Sequence, residues 1–151
     1  MEKHFSDATR AIIQTSGRLA TQFKYESVEP EHLLLAIIDE SLKNPAEGAM
    51  ILAIFKRLNV NLFNLIEDIE SSLDVAKTTS PKTDRLPLSN QTEKILKISY
   101  LEAKIFRSHN IRPEHILLSY LRNGSAFTEE TLKSKYNMTY QNVHDTVEQI
   151  N

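Results

Sequence analysis

The sequence predicts an all-α fold of eight helices, one four-helix unit written twice, and three observations support it. The run Val28-Glu29-Pro30-Glu31-His32-Leu33-Leu34-Leu35 returns 83 residues later as Ile111-Arg112-Pro113-Glu114-His115-Ile116-Leu117-Leu118, without a gap. Apolar residues recur at helical rather than strand spacing through most of the chain. Only three glycines occur in 151 residues, too few for a sandwich of tight turns or a Gly-rich nucleotide fold. A duplicated unit hides its apolar face against its own copy, so the repeat is read before any single element.

The first helix is expected over about Phe5–Lys24, with Phe5, Ala8, Ile12, Leu19 and Phe23 on or near one face. Ser6 suits its N-cap, because a serine hydroxyl accepts an otherwise unpaired N–H of the first turn. Pro30 opens the second helix, where a missing N–H costs nothing. That helix runs to about Glu40, and Leu33, Leu34, Ala36, Ile37 and Ile38 leave it too apolar all round for a surface position. Asn44-Pro45-Ala46-Glu47 offers the cap, proline and capping-box glutamate of a third helix reaching about Leu58. Asn61 caps a fourth, whose stripe is Leu62, Leu65, Ile66, Ile69 and Leu73.

The pattern then stops. Lys77 to Asp84 is polar, and Pro81 and Pro87 forbid a continuous helix. Residues 77–87 are therefore expected to link a first repeat at 1–76 to a second at 88–151, the whole forming one compact domain. Leu88-Ser89 matches Phe5-Ser6, and Ile95, Leu96, Ala103 and Phe106 match Ile12, Ile13, Ala20 and Phe23. After the Pro-Glu-His runs the register shifts: Asn59-Val60-Asn61 pairs with Asn137-Met138-Thr139, 78 residues on. The first half thus carries about five extra residues near Ser41–Met50, expected in a loop, where added chain costs little. A seventh helix over about Phe127–Tyr136 and an eighth over about Tyr140–Ile150 complete the second half.

Eighteen basic and twenty acidic side chains give a net charge of −2 with no single-sign block. That balance argues against a nucleic-acid or anionic-membrane partner, whose footprint would be basic. No apolar run approaches a membrane span, and the N-terminus lacks the layout of a signal peptide. Zero cysteines exclude disulfides, thiolate metal sites and cysteine nucleophiles, and fit a reducing cytoplasm. The chain has no Gly-x-x-x-x-Gly-Lys-Ser/Thr loop, no His-Glu-x-x-His and no Gly-x-Ser-x-Gly elbow. No catalytic residues, metal ligands or cofactor are expected in it.

Glu31 and Glu114 each sit one residue into a helix, and two readings stay open. Each carboxylate can complement the positive end of a helix dipole, worth about 0.3–1 kcal/mol. Alternatively, the two form symmetry-related acidic receptors for a guanidinium or ammonium group on a bound protein. His32 and His115 follow them, but successive helix residues point about 100° apart, so a Glu-His pair cannot chelate. Each histidine is expected to tie its helix start in place through a ring nitrogen. His4, His109 and His144 are assigned no role.

The opening Phe-Ser, Ala20, the Pro-Glu-His-Leu-Leu-Leu-Ala run, Asn-Val-Asn at 59–61 and the recurrence of the whole set resemble the double Clp repeat. This is the N-terminal domain of the Hsp100 chaperone ATPases ClpA, ClpB and ClpC, and the resemblance covers about Phe5–Ile150. The run from Glu31 to Leu35 looks closest to the ClpC and ClpA side. The resemblance implies two pseudo-two-fold-related four-helix bundles and a recognition module without enzymatic activity. Such a module receives client and adaptor proteins for AAA+ modules of the same polypeptide and, through them, a ClpP-type peptidase. ATP would belong to those further modules of a parent chaperone. The alternative is a stand-alone Clp-repeat adaptor or accessory subunit of a Clp protease. In the ClpC branch, glutamates matching Glu31 and Glu114 bind phosphoarginine, with a threonine before each. Here Pro30 and Pro113 offer neither hydroxyl nor N–H, which weakens that specificity. The resemblance also implies an apolar groove between the halves, with Phe5, Leu86 and Leu88 at its edge.

Overall fold

The computed structural model describes residues 4–74 and 86–151. The first half contains α1 (Asp7–Gln22), α2 (Pro30–Lys43), α3 (Ala49–Arg57) and α4 (Leu62–Asp74). The second contains α5 (Asn90–Ile105), α6 (Pro113–Asn123), a π-helical segment (Thr128–Lys133) running into the single turn α7 (Ser134–Tyr136), and α8 (Tyr140–Ile150). The fold is all-α, and among the described residues strand-like pairing is limited to two isolated bridges. No single described helix is long and apolar enough to cross a membrane.

Local chemistry sets the helix ends as expected. Ser6 Oγ accepts from the Thr9 N–H at 3.1 Å and Ser89 Oγ from the Thr92 N–H at 3.2 Å. Asn61 Oδ1 accepts from the Asn64 N–H at 3.1 Å, and Pro30 and Pro113 are the first residues of α2 and α6. Among the described residues, the non-glycine residues with positive φ form two pairs: Lys24 (62°) with Arg107 (56°), and Asn59 with Asn137 (both 56°). These pairs stand at the two offsets of the sequence repeat, so the duplication extends to the backbone turns that end its helices.

The halves interlock rather than merely abut. The Ser6 N–H donates to Ile111 O at 3.0 Å, and Ile111 donates to His4 O at 2.6 Å. In the mirror arrangement Ser89 donates to Val28 O at 3.0 Å, and Val28 to Pro87 O at 2.9 Å. Thr9 Oγ1 donates to Ile111 O and Thr92 Oγ1 to Val28 O, each at 2.8 Å and buried. Each half therefore sends its opening residues across a pseudo-two-fold axis to pair with the segment before the other half's second helix. The core is continuous: α2 and α6 touch each other at its centre, α1 packs on α2, and α5 packs on α6.

Three expectations change. α3 begins at Ala49, because the chain from Asn44 first makes a turn closed by the Gly48 N–H on Asn44 O at 2.9 Å. Gly48 then lies so close to α2 that a Cβ there would sit 2.5 Å from Ser41 Cα. The extra residues of the first half are not all loop: α2 has 14 residues against 11 in α6, which stops at Gly124 with φ 46°. The seventh element has a π-helical body instead of a regular α-helix. Of the linker expected at 77–87, residues 77–85 lie outside the described residues.

Candidate functional site

Several concave surfaces bring polar and apolar groups together among the described residues; one of about 360 Å³ is lined by Met50, Phe106, Arg112, Glu114 and His115, and two others are larger. The first is a groove of about 380 Å³ on the pseudo-two-fold axis, between α1 and α5. Its lining comes as four pairs, each 83 residues apart: Phe5 with Leu88, Ile13 with Leu96, Arg10 with Glu93, and Gln14 with Lys97. The apolar pairs keep their character and the polar pairs do not. Arg10 is tied to Asp7 at 3.1 Å and Lys97 to Glu93 at 2.9 Å, so the nearby charges are largely balanced locally. Phe5 and Leu88, expected at a groove edge, both line it. Leu86 packs half-buried on the core and does not.

The second is a cleft of about 730 Å³ walled by the segment before α2, the end of α4 and the π-helical segment. Among the described residues, Glu26, Glu29, Glu31, Asp68 and Glu130 line it with one lysine, Lys135, which is paired with Asp68 at 2.8 Å. Hydrogen bonds from Lys135 and Tyr136 hold the Asp68 carboxyl below its usual range. Glu31 Oε2 accepts from Tyr120 Oη at 2.9 Å and Ser125 Oγ at 3.1 Å, both from the other half. Burial, then the Glu31 charge, pushes the Tyr120 hydroxyl well above its ordinary pKa, so it stays a donor.

Glu114 is placed differently. It is 4% exposed; Oε2 accepts from Arg112 Nε at 3.1 Å, and Oε1 has no partner among the described residues. Of the two readings left open, the receptor pair would not be equivalent: Glu31 is half-buried and lines the 730 Å³ cleft, whereas Glu114, at the smaller pocket, is buried and paired with Arg112. The reason lies in two positions. Arg112 stands where the first half has Glu29, and Tyr120 where it has Ile37. One half supplies a cation to its own glutamate, while among the described residues the other glutamate accepts from hydroxyls across the axis.

The histidines do what their spacing suggests. His32 Nδ1 accepts from the Glu29 N–H and His115 Nδ1 from the Arg112 N–H, each at 2.9 Å. This hydrogen bond assigns the remaining proton to Nε2, which in His32 is buried without a partner among the described residues. The Tyr25 ring stands edge-on to His32 at 4.6 Å. Burial lowers His32 to about 4 and lowers His115 as well, there opposed by the Glu114 charge. Among the described residues, ligand atoms close enough to share a metal ion occur at His144, Asp145 and Glu148, within 4.8 Å of one another; none lines the groove or the cleft.

One polar cluster escaped the sequence reading. Glu102, fully buried, accepts from Arg122 and, at 2.6 Å, from Tyr140 Oη, with the Arg122 guanidinium 4.3 Å from the Tyr140 ring centre. A charged residue where the first half has Leu19 was the available signal.

A family model of the Clp repeat (R) N-terminal domain matches residues 4–135. The chaperone protein ClpB of Bdellovibrio bacteriovorus is 26% identical over 118 residues, 78% of this chain but 13% of the relative. The chain thus spans about one eighth of that relative's length. Among solved structures, the Hsp104 N-terminal domain from Candida albicans superposes with a TM-score of 0.77 at 18% identity, over 97% of this chain and 90% of that one. A ClpV N-domain in complex with a VipB peptide gives 0.68 at 13% identity, over 93% and 82%. At these identities the structures speak for the fold.

Proposed function

We propose, because this chain belongs to the family of Clp repeat N-terminal domains, that it receives segments of client or adaptor proteins and passes them to the AAA+ modules of a parent chaperone. The observation that carries this reading is the groove on the pseudo-two-fold axis, where Phe5, Ile13, Leu88 and Leu96 present apolar surface between two rigidly interlocked halves. Seating one Leu- or Phe-sized side chain there contributes about 1.5–3 kcal/mol, most of it offset by the cost of association. Binding is therefore weak and reversible, as handing a segment onward requires. The ClpV N-domain holding a VipB peptide supports the idea that this fold accepts a peptide. Work in the cytoplasm, ATP hydrolysis in further modules and delivery to a ClpP-type peptidase complete the proposal.

Glu31 favours a second element of the same reading. It is one of five carboxylates lining a cleft that holds one lysine among the described residues, a setting suited to an ammonium or guanidinium group on the client. With proline before Glu31 in place of the ClpC branch's threonine, an unmodified cationic side chain fits better than phosphoarginine. Fluorescence anisotropy with labelled casein, an unfolded protein, tests both elements. Ile13→Asp should weaken binding about tenfold by charging the groove. Glu31→Ala should weaken it less, and Glu114→Ala should act only through stability. Casein binding unchanged in a folded Ile13→Asp variant would remove the groove from the proposal.

A further inference from the structure

The outward side of α5 carries an apolar face that its counterpart in the first half lacks. Leu101 is 54% exposed, Ile105 52% and Tyr100 40%, on the side of the helix away from the core-facing Ile95, Ser99 and Ala103. The equivalent positions in α1 are Arg18, Gln22 and Gly17, so the duplicated scaffold does not require apolar groups there. At 3.6 residues per turn Leu101 and Ile105 share one narrow stripe with Lys94. Lys104 and Arg107 flank it, Lys104 Nζ lying 5.3 Å from the Tyr100 ring centre. None of Lys94, Lys104 and Arg107 has an ion-pair partner among the described residues. In a chain of net charge −2, positive charge without an ion-pair partner among the described residues thus gathers around two adjacent aliphatic side chains.

We infer that this face of α5 docks an acidic amphipathic segment of a partner protein, with aliphatic side chains one helical turn apart seated on Leu101 and Ile105 and carboxylates meeting Lys94, Lys104 and Arg107. Charge complementarity selects this occupant. A second copy pairing by the same face would bring the three cations against their own equivalents. An anionic bilayer would meet the stripe's cations but be repelled by the net negative charge of the whole chain. The inference is independent of the groove, which α5 lines with Glu93, Leu96 and Lys97.

The test uses the full chain and a labelled peptide of about four helical turns with leucine at helical spacing and glutamate elsewhere, beside a twin with lysine for every glutamate. The glutamate peptide should shift the amide resonances of residues 98–107. Its affinity should fall about tenfold in the double variant Leu101→Ser, Ile105→Ser, and again in Lys94→Glu, Lys104→Glu or high salt. These positions are exposed, so the variants stay folded, which circular dichroism checks. Ile13→Asp should leave this binding intact, which separates it from the groove. Equal binding of the lysine twin, shifts confined to the groove, or undiminished affinity in the double variant would overturn the inference. So would co-sedimentation with phosphatidylserine vesicles, or a dimer in sedimentation equilibrium, lost with Leu101→Ser, Ile105→Ser while the peptide leaves α5 unshifted.

Discussion

Acid should destabilise this protein through His32, and the size of the loss follows from where the ring sits. The folded protein keeps His32 neutral down to about pH 4, whereas the unfolded chain protonates it near 6.5. Between those values the unfolded state binds more protons, so stability rises with pH. The contribution is fully present above about pH 6.5 and is lost as pH falls toward 4. At about 1.4 kcal/mol per pH unit the full loss is about 3 kcal/mol, of which roughly 2 kcal/mol falls between pH 7 and pH 5. Among the described residues no acid offsets the burial of the ring. Phe23 and Tyr25 pack against it, and the Glu29 N–H already donates to Nδ1. His115 is lowered too and adds loss of the same sign. The perturbation is His32→Asn, whose Oδ1 can take over from Nδ1 as acceptor without titrating. Urea unfolding at a series of pH values should show the variant less stable at neutral pH, from lost ring packing, but with a flatter profile below it. Two profiles that fall in parallel, or a His32 ring proton titrating near 6.5 in the folded protein, would refute the reasoning.

Two glycines should respond in opposite directions to alanine. Nothing lies within 4 Å of a Cβ at Gly17 inside α1, so Gly17→Ala should stabilise by about 0.5–1 kcal/mol. Gly48→Ala drives its Cβ into Ser41 backbone and should cost about 1–3 kcal/mol, both read by urea denaturation. Thr9→Val and Thr92→Val each remove one buried hydrogen bond across the axis and should each cost about 1 kcal/mol. Because the two sites are equivalent by the repeat, their costs should agree. A severalfold difference would show that the interlock is not shared evenly.

Much of the fold was legible because its signals act within a turn or two of the chain. Ser6 and Ser89 cap, Pro30 and Pro113 open helices, and His32 and His115 fold back on their own helix starts, all through contacts of three residues' separation or less. Phe5 and Leu88 were placed at a groove because the family resemblance implies one between the halves, and both line it. The start of α3 was misjudged for a tertiary reason: Asn44-Pro45-Ala46-Glu47 reads as a helix start, but the close approach of Gly48 to Ser41 ends the turn there.

The amino-acid order by itself determined the duplication, the helix starts marked by Ser6, Pro30, Asn61, Ser89 and Pro113, and, through the residues that carry the resemblance, the family, since capping and motifs are properties of neighbouring residues. Only the tertiary structure decided how differently the two glutamates are held. Tyr120 and Ser125 reach Glu31 across separations of 89 and 94 residues, while Glu114 is held by Arg112 two residues away. It also decided that Leu101 and Ile105 remain outside the core, because periodicity shows that a helix has apolar positions, and packing settles which of them find a neighbour.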